Sequence, residues 1–416
     1  MRFDTVIIGG GLSSLVCGIR LQKAGRKCLI VSSGQNALHF SSGTFGLLSR
    51  LPDGTPVDRP LKAMEELPSG HPYSKIGIEA VRSYLAQVPP FFKDCGIELY
   101  HGADEEANGY RMTPSGSLKP AWFSLTDNTL NSSADVRFEG KALIVNFAGF
   151  LDFNTSFVAA GFEKRGASCR IETVRHPAVE RLRVNPSEMR SVNIARVMDR
   201  EDNWKQFVNL VKEKMHGEEM VILPEVFGFG NPSVMLWICE MIPAKVIFVG
   251  TMPPSVPGMR AQLLLKKAFE EAGGTFLPGD EAVSAEVEDG RISCIRTANL
   301  GKVRLESDCF VLASGNLFGK GLVTTPERVY EPVFGLDVEY PSDRTLWYDS
   351  DFSSRQEYLG FGVRTDSSFR ALRGGEVVPN LFVIGSELAG CNTLAEGSGA
   401  MVAILSALKV SDEILQ

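Results

Sequence analysis

A short apolar strand running into a glycine turn and a helix, a middle region where strands and helices alternate, and two later strands that end in small-residue turns together predict an α/β fold. The expected architecture is a Rossmann-like domain with a second α/β domain inserted into it. Arg2 to Ile8 is short and rich in Val and Ile, as a buried parallel strand is. Gly9 permits a tight turn, and the missing Cβ at Gly11 lets a phosphate approach the backbone. Leu12 to Ala24 places Leu12, Leu15, Val16, Ile19 and Leu21 at the spacing of a helix packed on a sheet, and Gly25 ends it. Lys27 to Val31 is the second strand of one βαβ unit.

Leu51 to Tyr73, rich in Pro and Gly, reads as a surface excursion, and Ile76 to Phe92 as a helix stopped near Pro89-Pro90. Lys141 to Phe147 is a strand, Phe150 to Lys164 a helix, Ser168 to Val174 a strand, and Glu188 to Met215 largely helical. Met220 to Pro224, Val234 to Met241 and Lys245 to Gly250 then alternate strand, helix and strand. Met259 to Ala272 is an amphipathic helix and Thr275 to Pro278 a strand. Glu281 to Val287 and Arg291 to Thr297 flank Asp289-Gly290, a hairpin signal. Lys302 to Glu306 adds a strand, and Asp308 to Gly315 is a buried strand ending in Ala-Ser-Gly. Pro379 to Gly390 is a strand ending in Gly-Ser-Glu, and Glu396-Gly397-Ser398-Gly399-Ala400 opens a final helix to about Ala407. Residues 1–60, 256–316 and 371–416 are thus assigned to the Rossmann-like domain, 100–255 to the inserted domain and 317–370 to a connecting, substrate-side segment.

The 416 residues suffice for two or three domains, and 44% hydrophobic with 22% charged residues is ordinary for a globular protein. A net charge of −7 with no Lys/Arg run argues against nucleic-acid binding. The eight cysteines form no C-x-x-C pair, so no Fe–S or zinc site and no metal ligand set is expected, and a reducing, cytoplasmic compartment fits. The N-terminus enters a strand directly, so no signal peptide is expected. The apolar stretch from Met220 to Val256 is interrupted by Pro224, Glu225, Asn231, Pro232, Glu240, Pro243 and Lys245, so any membrane association is expected to come through a partner.

The N-terminal unit reads as a cradle for a nucleotide phosphate, with backbone N–H groups and the positive dipole end of a helix facing the anion, or else as a structural glycine turn with no ligand. Two positions depart from the usual dinucleotide pattern. Ser14 stands where a third glycine is expected, and a small side chain fits there. Ser32-Ser33 stand where an acidic ribose ligand is expected, and Ser33 cannot make the two-oxygen contact of a carboxylate. FMN therefore competes with FAD. The loop from Gly34 to Gly46, with Ser41, Ser42 and Gly43, reads either as a ligand loop or as an ordinary polar turn. The turns at Ser314-Gly315 and Gly385-Ser386-Glu387 and the helix start at Gly397 supply further ends that converge if one flavin is held. The expected flavin neighbours are Gly9, Gly11, Ser13, Ser14, Ser33, Ser41, Ser42, Gly43, Ser314, Gly315, Gly385, Glu387 and Gly397.

The order of these pieces is similar to the large two-domain FAD/NAD(P)-binding flavoproteins, among them the fumarate reductase and succinate dehydrogenase flavosubunits. A finer resemblance rests on Met1-Arg2-Phe3-Asp4-Thr5-Val6-Ile7, Ala37-Leu38-His39-Phe40-Ser41-Ser42-Gly43, Val192-Asn193-Ile194-Ala195-Arg196, Pro253-Pro254-Ser255-Val256 with Gly258 and Arg260, and Gly335-Leu336-Asp337-Val338. These strings resemble the B-subunit family of the anaerobic glycerol-3-phosphate dehydrogenases, end to end. That resemblance implies a quinone-dependent oxidoreductase complex that converts sn-glycerol 3-phosphate to dihydroxyacetone phosphate and passes electrons to menaquinone. It further implies FMN (alternatively FAD) in this chain, a substrate-oxidising, FAD-bearing A subunit, an Fe–S, membrane-contacting C subunit, and attachment to the inner face of the cell membrane through those partners.

His39 is one of five histidines and reads either as an acid–base or phosphate-donating group or as a structural loop histidine. Arg260 and Arg196 suit an anionic substrate or a partner, or else an interface ion pair. Two further functions stay open: a stand-alone FAD-dependent reductase of the fumarate reductase type, against which no His-Pro-Thr segment is found, and a non-catalytic assembly subunit that lost its cofactor.

Overall fold

Val6 and Ile7 are fully buried in the strand Arg2–Ile8, whose apolar residues face the core on both sides. In the computed structural model, which describes every residue except 42, 126–129, 186–187 and 353, this strand pairs in parallel with Cys28–Ser32 and with Leu305–Leu312. The sheet runs in the order Thr275–Pro278, Cys28–Ser32, Arg2–Ile8, Leu305–Leu312, Arg291–Thr297, Ala282–Glu288. Leu305–Leu312 serves two partners on one edge. Its beginning pairs antiparallel with Arg291–Thr297, and Phe310 to Leu312 pair in parallel with Glu376–Val383. Two separate strands are expected here from sequence. The structure has one, because no glycine or proline interrupts Glu306 to Cys309 and the ladder with Arg2–Ile8 continues from Glu306 to Leu312. Asp289 and Gly290 take φ of +49° and +75°, the left-handed pair a two-residue hairpin loop needs.

The helix Leu12–Lys23 lies against the final helix, Gly399–Leu415, which extends past the expected end at Ala407. Arg20 meets Asp412 between them at 2.6 Å. The helix Ile78–Asp94 runs through Pro89 and Pro90, where the sequence predicts a stop. Val81, Leu85, Val88 and Phe92 keep one buried face across the prolines. Phe92 packs on Phe45 with ring centroids 5.4 Å apart, and this burial offsets a proline cost of about 3 kcal/mol.

A second sheet is wholly parallel, in the order Lys245–Val249, Met220–Pro224, Lys141–Phe147, Ser168–Val174. Its core is aromatic: Phe147 stacks on Phe207 at 4.8 Å, and Phe227 lies 5.0 Å from Phe207. The helix expected from Phe150 begins only at Thr155, because Asn154 caps it by accepting the N–H of Phe157 and Asn146 holds the preceding turn through the carbonyls of Phe150 and Phe153. The helical stretch 188–215 is two helices, Ser191–Met198 and Glu201–Lys214.

Residues 1–37, 45–97 and 262–416 form one unit and residues 38–44 and 98–261 the other. This division differs from the expected domains in three places, one of them residues 256–261, which belong to the second unit. The loop 38–44 belongs to the second unit, where Gly258 packs so closely on Leu38 and Ser41 that a Cβ there would stand 1.9 Å from the Leu38 carbonyl oxygen. Residues 317–370 belong to the first unit, where Val338–Glu339 pairs with Gly362–Val363 and the backbone of Asp337 bonds to Leu372. Among the described residues no helix is long and apolar enough to cross a membrane, and no group of three or more His, Cys, Asp or Glu side chains is placed to hold a metal.

Candidate functional site

In the first unit the strand ends carry three glycines with different jobs. Gly9 has φ +111°, and a Cβ there would stand 2.1 Å from the carbonyl oxygen of Ala313, so only glycine lets the turn pass the end of Leu305–Leu312. At Gly10 a Cβ would meet Ser32 Oγ at 2.2 Å. At Gly11 the nearest atom to an added Cβ is Asn36 Cβ at 4.0 Å, so that position faces open room. Behind it the helix Leu12–Lys23 begins with no side-chain cap and no acidic residue in its first turn. Among the described residues its N-cap side chain and first turn therefore offer no counterpart to the free N–H groups and positive dipole end. Ser14 Oγ is buried and has no hydrogen-bond partner among the described residues.

The neighbouring strands bring the other turns alongside. A Cβ on Gly385, at φ +78°, would lie 2.8 Å from Ser13 Oγ, which sets this turn against the first helix. Gly385 N–H donates to Ser406 Oγ of the final helix at 3.0 Å. Glu387 turns inward and is fully buried. Ser314 Oγ lies 3.0 and 2.9 Å from its two carboxyl oxygens, and Gly315 N–H donates to it at 3.2 Å. Burial first, and then the charge of Glu331, push its pKa well above the usual carboxylate range. Glu331 is also buried and accepts the N–H groups of Val333, Phe334 and Gly335 at 2.8, 2.7 and 2.9 Å. Burial raises its pKa too, against the pull of those donors.

The turn ahead of the final helix is braced by a buried carboxylate. Glu396 accepts from His71 Nε2 at 3.2 Å, Ser398 Oγ at 3.1 Å and Asn392 N–H at 2.9 Å. His71 Nδ1 accepts the N–H of Tyr73 at 3.1 Å, which assigns the ring proton to Nε2. Burial pushes Glu396 up, but the hydrogen bond and charge of His71 and the other donors outweigh it and hold the carboxylate below its usual value. Gly397, at φ +65°, turns the chain beside Ser49, where a Cβ would stand 2.7 Å from Ser49 Oγ.

Gly9, Gly11, Ser13, Ser14, Ser314, Gly315, Gly385 and Glu387 thus gather at the carboxyl ends of adjacent parallel strands, with Gly397 at the start of the helix packed on them. Ser33 is exposed at the end of Cys28–Ser32. The nearby acid, Asp280, whose N–H bonds to the Ser32 carbonyl, turns inward to accept the N–H groups of Glu281 and Asn299.

The other expected residues lie in the second unit. His39 is buried, with its carbonyl accepting Ser255 N–H at 2.8 Å, and Ser41 Oγ accepts Gly43 N–H at 3.3 Å. Ser42 lies outside the described residues. Gly43, at φ +75°, leaves room for Arg111, whose Nη1 would be 3.1 Å from a Cβ there. Arg111 forms a buried ion pair with Glu225. Arg260 is buried and donates to the carbonyls of Gly228 at 2.7 Å and Leu125 at 3.4 Å, a bracing geometry. Arg196 is exposed, with its guanidinium 5.5 Å from the centre of the Phe229 ring.

Sequence reasoning missed Glu331, Arg111–Glu225 and the His71–Glu396 pair, whose members lie 325 residues apart. Only His71 left a local trace: it precedes Pro72 at the first position of a helix, the place of an N-cap.

The family model described as an FAD binding domain matches residues 4–402. Over its full length the chain is similar to the B subunit of the anaerobic glycerol-3-phosphate dehydrogenase of Pectobacterium carotovorum subsp. carotovorum (strain PC1), 42% identical and covering 99% of it. It is 40% identical to the protein of the same name from Yersinia enterocolitica, again over 100% of this chain and 98% of the relative. Among solved structures it is similar to the 3-ketosteroid delta1-dehydrogenase of Sterolibacterium denitrificans, at 10% identity over 99% of each chain and a TM-score of 0.43.

Proposed function

The chain belongs to the FAD-binding domain family and, within it, to the family of anaerobic glycerol-3-phosphate dehydrogenase B subunits, and from that premise we propose that it is the flavin-holding subunit of a complex that oxidises glycerol 3-phosphate to dihydroxyacetone phosphate. The observation that carries this reading is the open cradle at Gly11 beside an uncapped helix N-terminus and the unpartnered Ser14 Oγ. A flavin bound there supplies hydride acceptance and electron release in ones or twos. The chain's own part is to hold and bias it. The N-terminus of Leu12–Lys23 takes a phosphate, Gly385 and Ser13 shape the wall between strand end and helix, and the start of Gly399–Leu415 stabilises negative charge.

FMN is the proposed cofactor. Exposed Ser33 offers no carboxylate to a ribose diol, and Asp280 is buried with its Oδ1 held by the N–H groups of Glu281 and Asn299. The match to an FAD-binding family keeps FAD as the second reading. In this proposal an A-type subunit carries substrate-oxidising FAD and a C-type subunit carries Fe–S clusters and the membrane contact. Electrons leave through the complex to a quinone, His39 is an acid–base group, and exposed Arg196 meets a partner.

The test is purification of the chain alone and with its genomic neighbours, an absorbance spectrum, and the mass of the released cofactor. FMN with Fe–S and FAD-bearing partners is the expected result. Released FAD corrects the cofactor alone, a flavin-loaded chain that turns over substrate without partners favours a stand-alone enzyme, and a chain that stays colourless after flavin addition overturns the proposal.

A further inference from the structure

Two buried carboxyl groups of the first unit, Glu387 and Glu331, form no ion pair among the described residues. Glu331 is the charged group that acts most on Glu387. Two ionised carboxylates out of water with no cation between them are unstable, and the pair relaxes by keeping one proton. The hydrogen bonds decide where. Glu331 accepts four backbone N–H groups, from Val333, Phe334, Gly335 and Leu336, which donate only and so favour the charged form. Glu387 accepts two, from Gly315 and Ser314, and otherwise faces the Ser314 hydroxyl, which both accepts and donates.

We propose that Glu387 is the proton-holding residue of the strand-end site, a neutral carboxylic acid at working pH that shares a single negative charge with Glu331. An acid in this place presents an O–H donor where a carboxylate would present only acceptors. It therefore suits an acceptor oxygen of a ligand, carbonyl or phosphate, and stays protonated when negative charge accumulates nearby. Ionisation breaks one O–H bond, moves no electrons and sends one proton to solvent or to a bound base. The use of this proton rests on the flavin reading of the site; its presence does not.

The test is infrared spectroscopy of the full chain, flavin-free and flavin-loaded, across a pH titration. A protonated-carboxyl C=O band is expected at neutral pH and is lost in Glu387→Gln, which keeps the shape of the acid. In Glu331→Gln the neighbouring charge is gone and the band titrates away at lower pH. Thermal unfolding supplies a second readout. A carboxyl whose folded pKa is raised stabilises the fold below its unfolded value and loses that stability as pH rises through the folded value. The wild-type chain should therefore lose stability on alkalinisation and Glu387→Gln should lose less. Absence of the band at neutral pH, its persistence in Glu387→Gln, or an unmoved titration in Glu331→Gln overturns the proposal. Because the flavin-free chain is measured too, a failure of the flavin reading shows separately as a colourless protein that still has the band.

Discussion

In the first unit the helix Leu12–Lys23 reaches the strand ends with no side-chain cap, whereas in the second unit the helix Ser191–Met198, whose N-cap Arg190 makes no cap bond either, is met at its start by groups from neighbouring loops. There Asp152, from the loop after Lys141–Phe147, faces the N–H and hydroxyl of Ser191, which with Arg190 draw down a carboxyl pKa that burial raises. Arg190 meets Asp152 at 3.2 Å and the Pro253 carbonyl at 2.5 Å, and Ser191 Oγ lies 2.7 Å from Thr251 Oγ1 beyond Lys245–Val249. Both regions are carboxyl ends of parallel strands, the place where open α/β sheets bind ligands. Topology supplies the place and unsatisfied groups supply the site. One edge leaves N–H groups and a buried hydroxyl waiting, and the other has spent its donors on its own carboxylates and carbonyls.

The strongest way to break this contrast is to open the closed edge. Glu225→Ala removes the carboxylate that faces the buried Arg111 guanidinium, which should cost about 3–5 kcal/mol. Chemical denaturation should show the lower midpoint, while flavin bound per folded chain stays unchanged. Loss of flavin at full occupancy of the folded state would show that the second unit's edge is part of the site after all.

Next in size is Gly9→Ala in the first unit. The new Cβ meets the Ala313 carbonyl at 2.1 Å on a backbone at φ +111°, and a loss of about 3 kcal/mol is expected. Unlike Glu225→Ala it should lower stability and flavin content together. A variant that keeps both would show that the strand crossing at Ala313 does not shape the cradle.

The βαβ unit was legible because its signals are local: an apolar run, glycines and a helix face lie within one short stretch of chain. The three strand ends could be named one by one for the same reason. What joins them could not. Glu387 is acidic in the sequence, but only the fold shows that Ser314 turns it inward into full burial, which, with the charge of Glu331, pushes its pKa up. Likewise His39 drew attention as a rare histidine in a glycine-rich loop, while the histidine tied to the candidate site, His71, gained its role from a residue brought over by the final turn. Pro89-Pro90 misled because tertiary packing of Phe92 outweighed a local stop signal.

A matched pair sharpens the contrast at lower cost. Gly11→Ala adds a methyl to open room at φ −82°, so stability should change by no more than about 0.5 kcal/mol. Flavin affinity should fall about tenfold, near 1.4 kcal/mol, because the methyl occupies the phosphate's approach. Asp152→Ala should do the reverse, lowering stability by about 1 kcal/mol through loss of the carboxylate facing the helix start and leaving flavin affinity alone. Flavin titration and denaturation of both variants give four numbers, and the comparison survives only if they cross in this way.

The smallest expected effect tests what the open edge lacks. Ser33 is exposed, so Ser33→Asp should leave the fold within about 0.5 kcal/mol of wild type. It installs a carboxylate at the end of Cys28–Ser32, where a dinucleotide's ribose would lie. FMN has no second ribose to meet it, so FMN affinity should not change. FAD should gain about 1 kcal/mol, roughly fivefold, from one new hydrogen bond to the diol. Competition between the two flavins for the apo-chain reads this ratio directly. An unchanged ratio would mean that the adenosine half, when present, does not run along this strand end, and that exposed Ser33 says nothing about which flavin the chain selects.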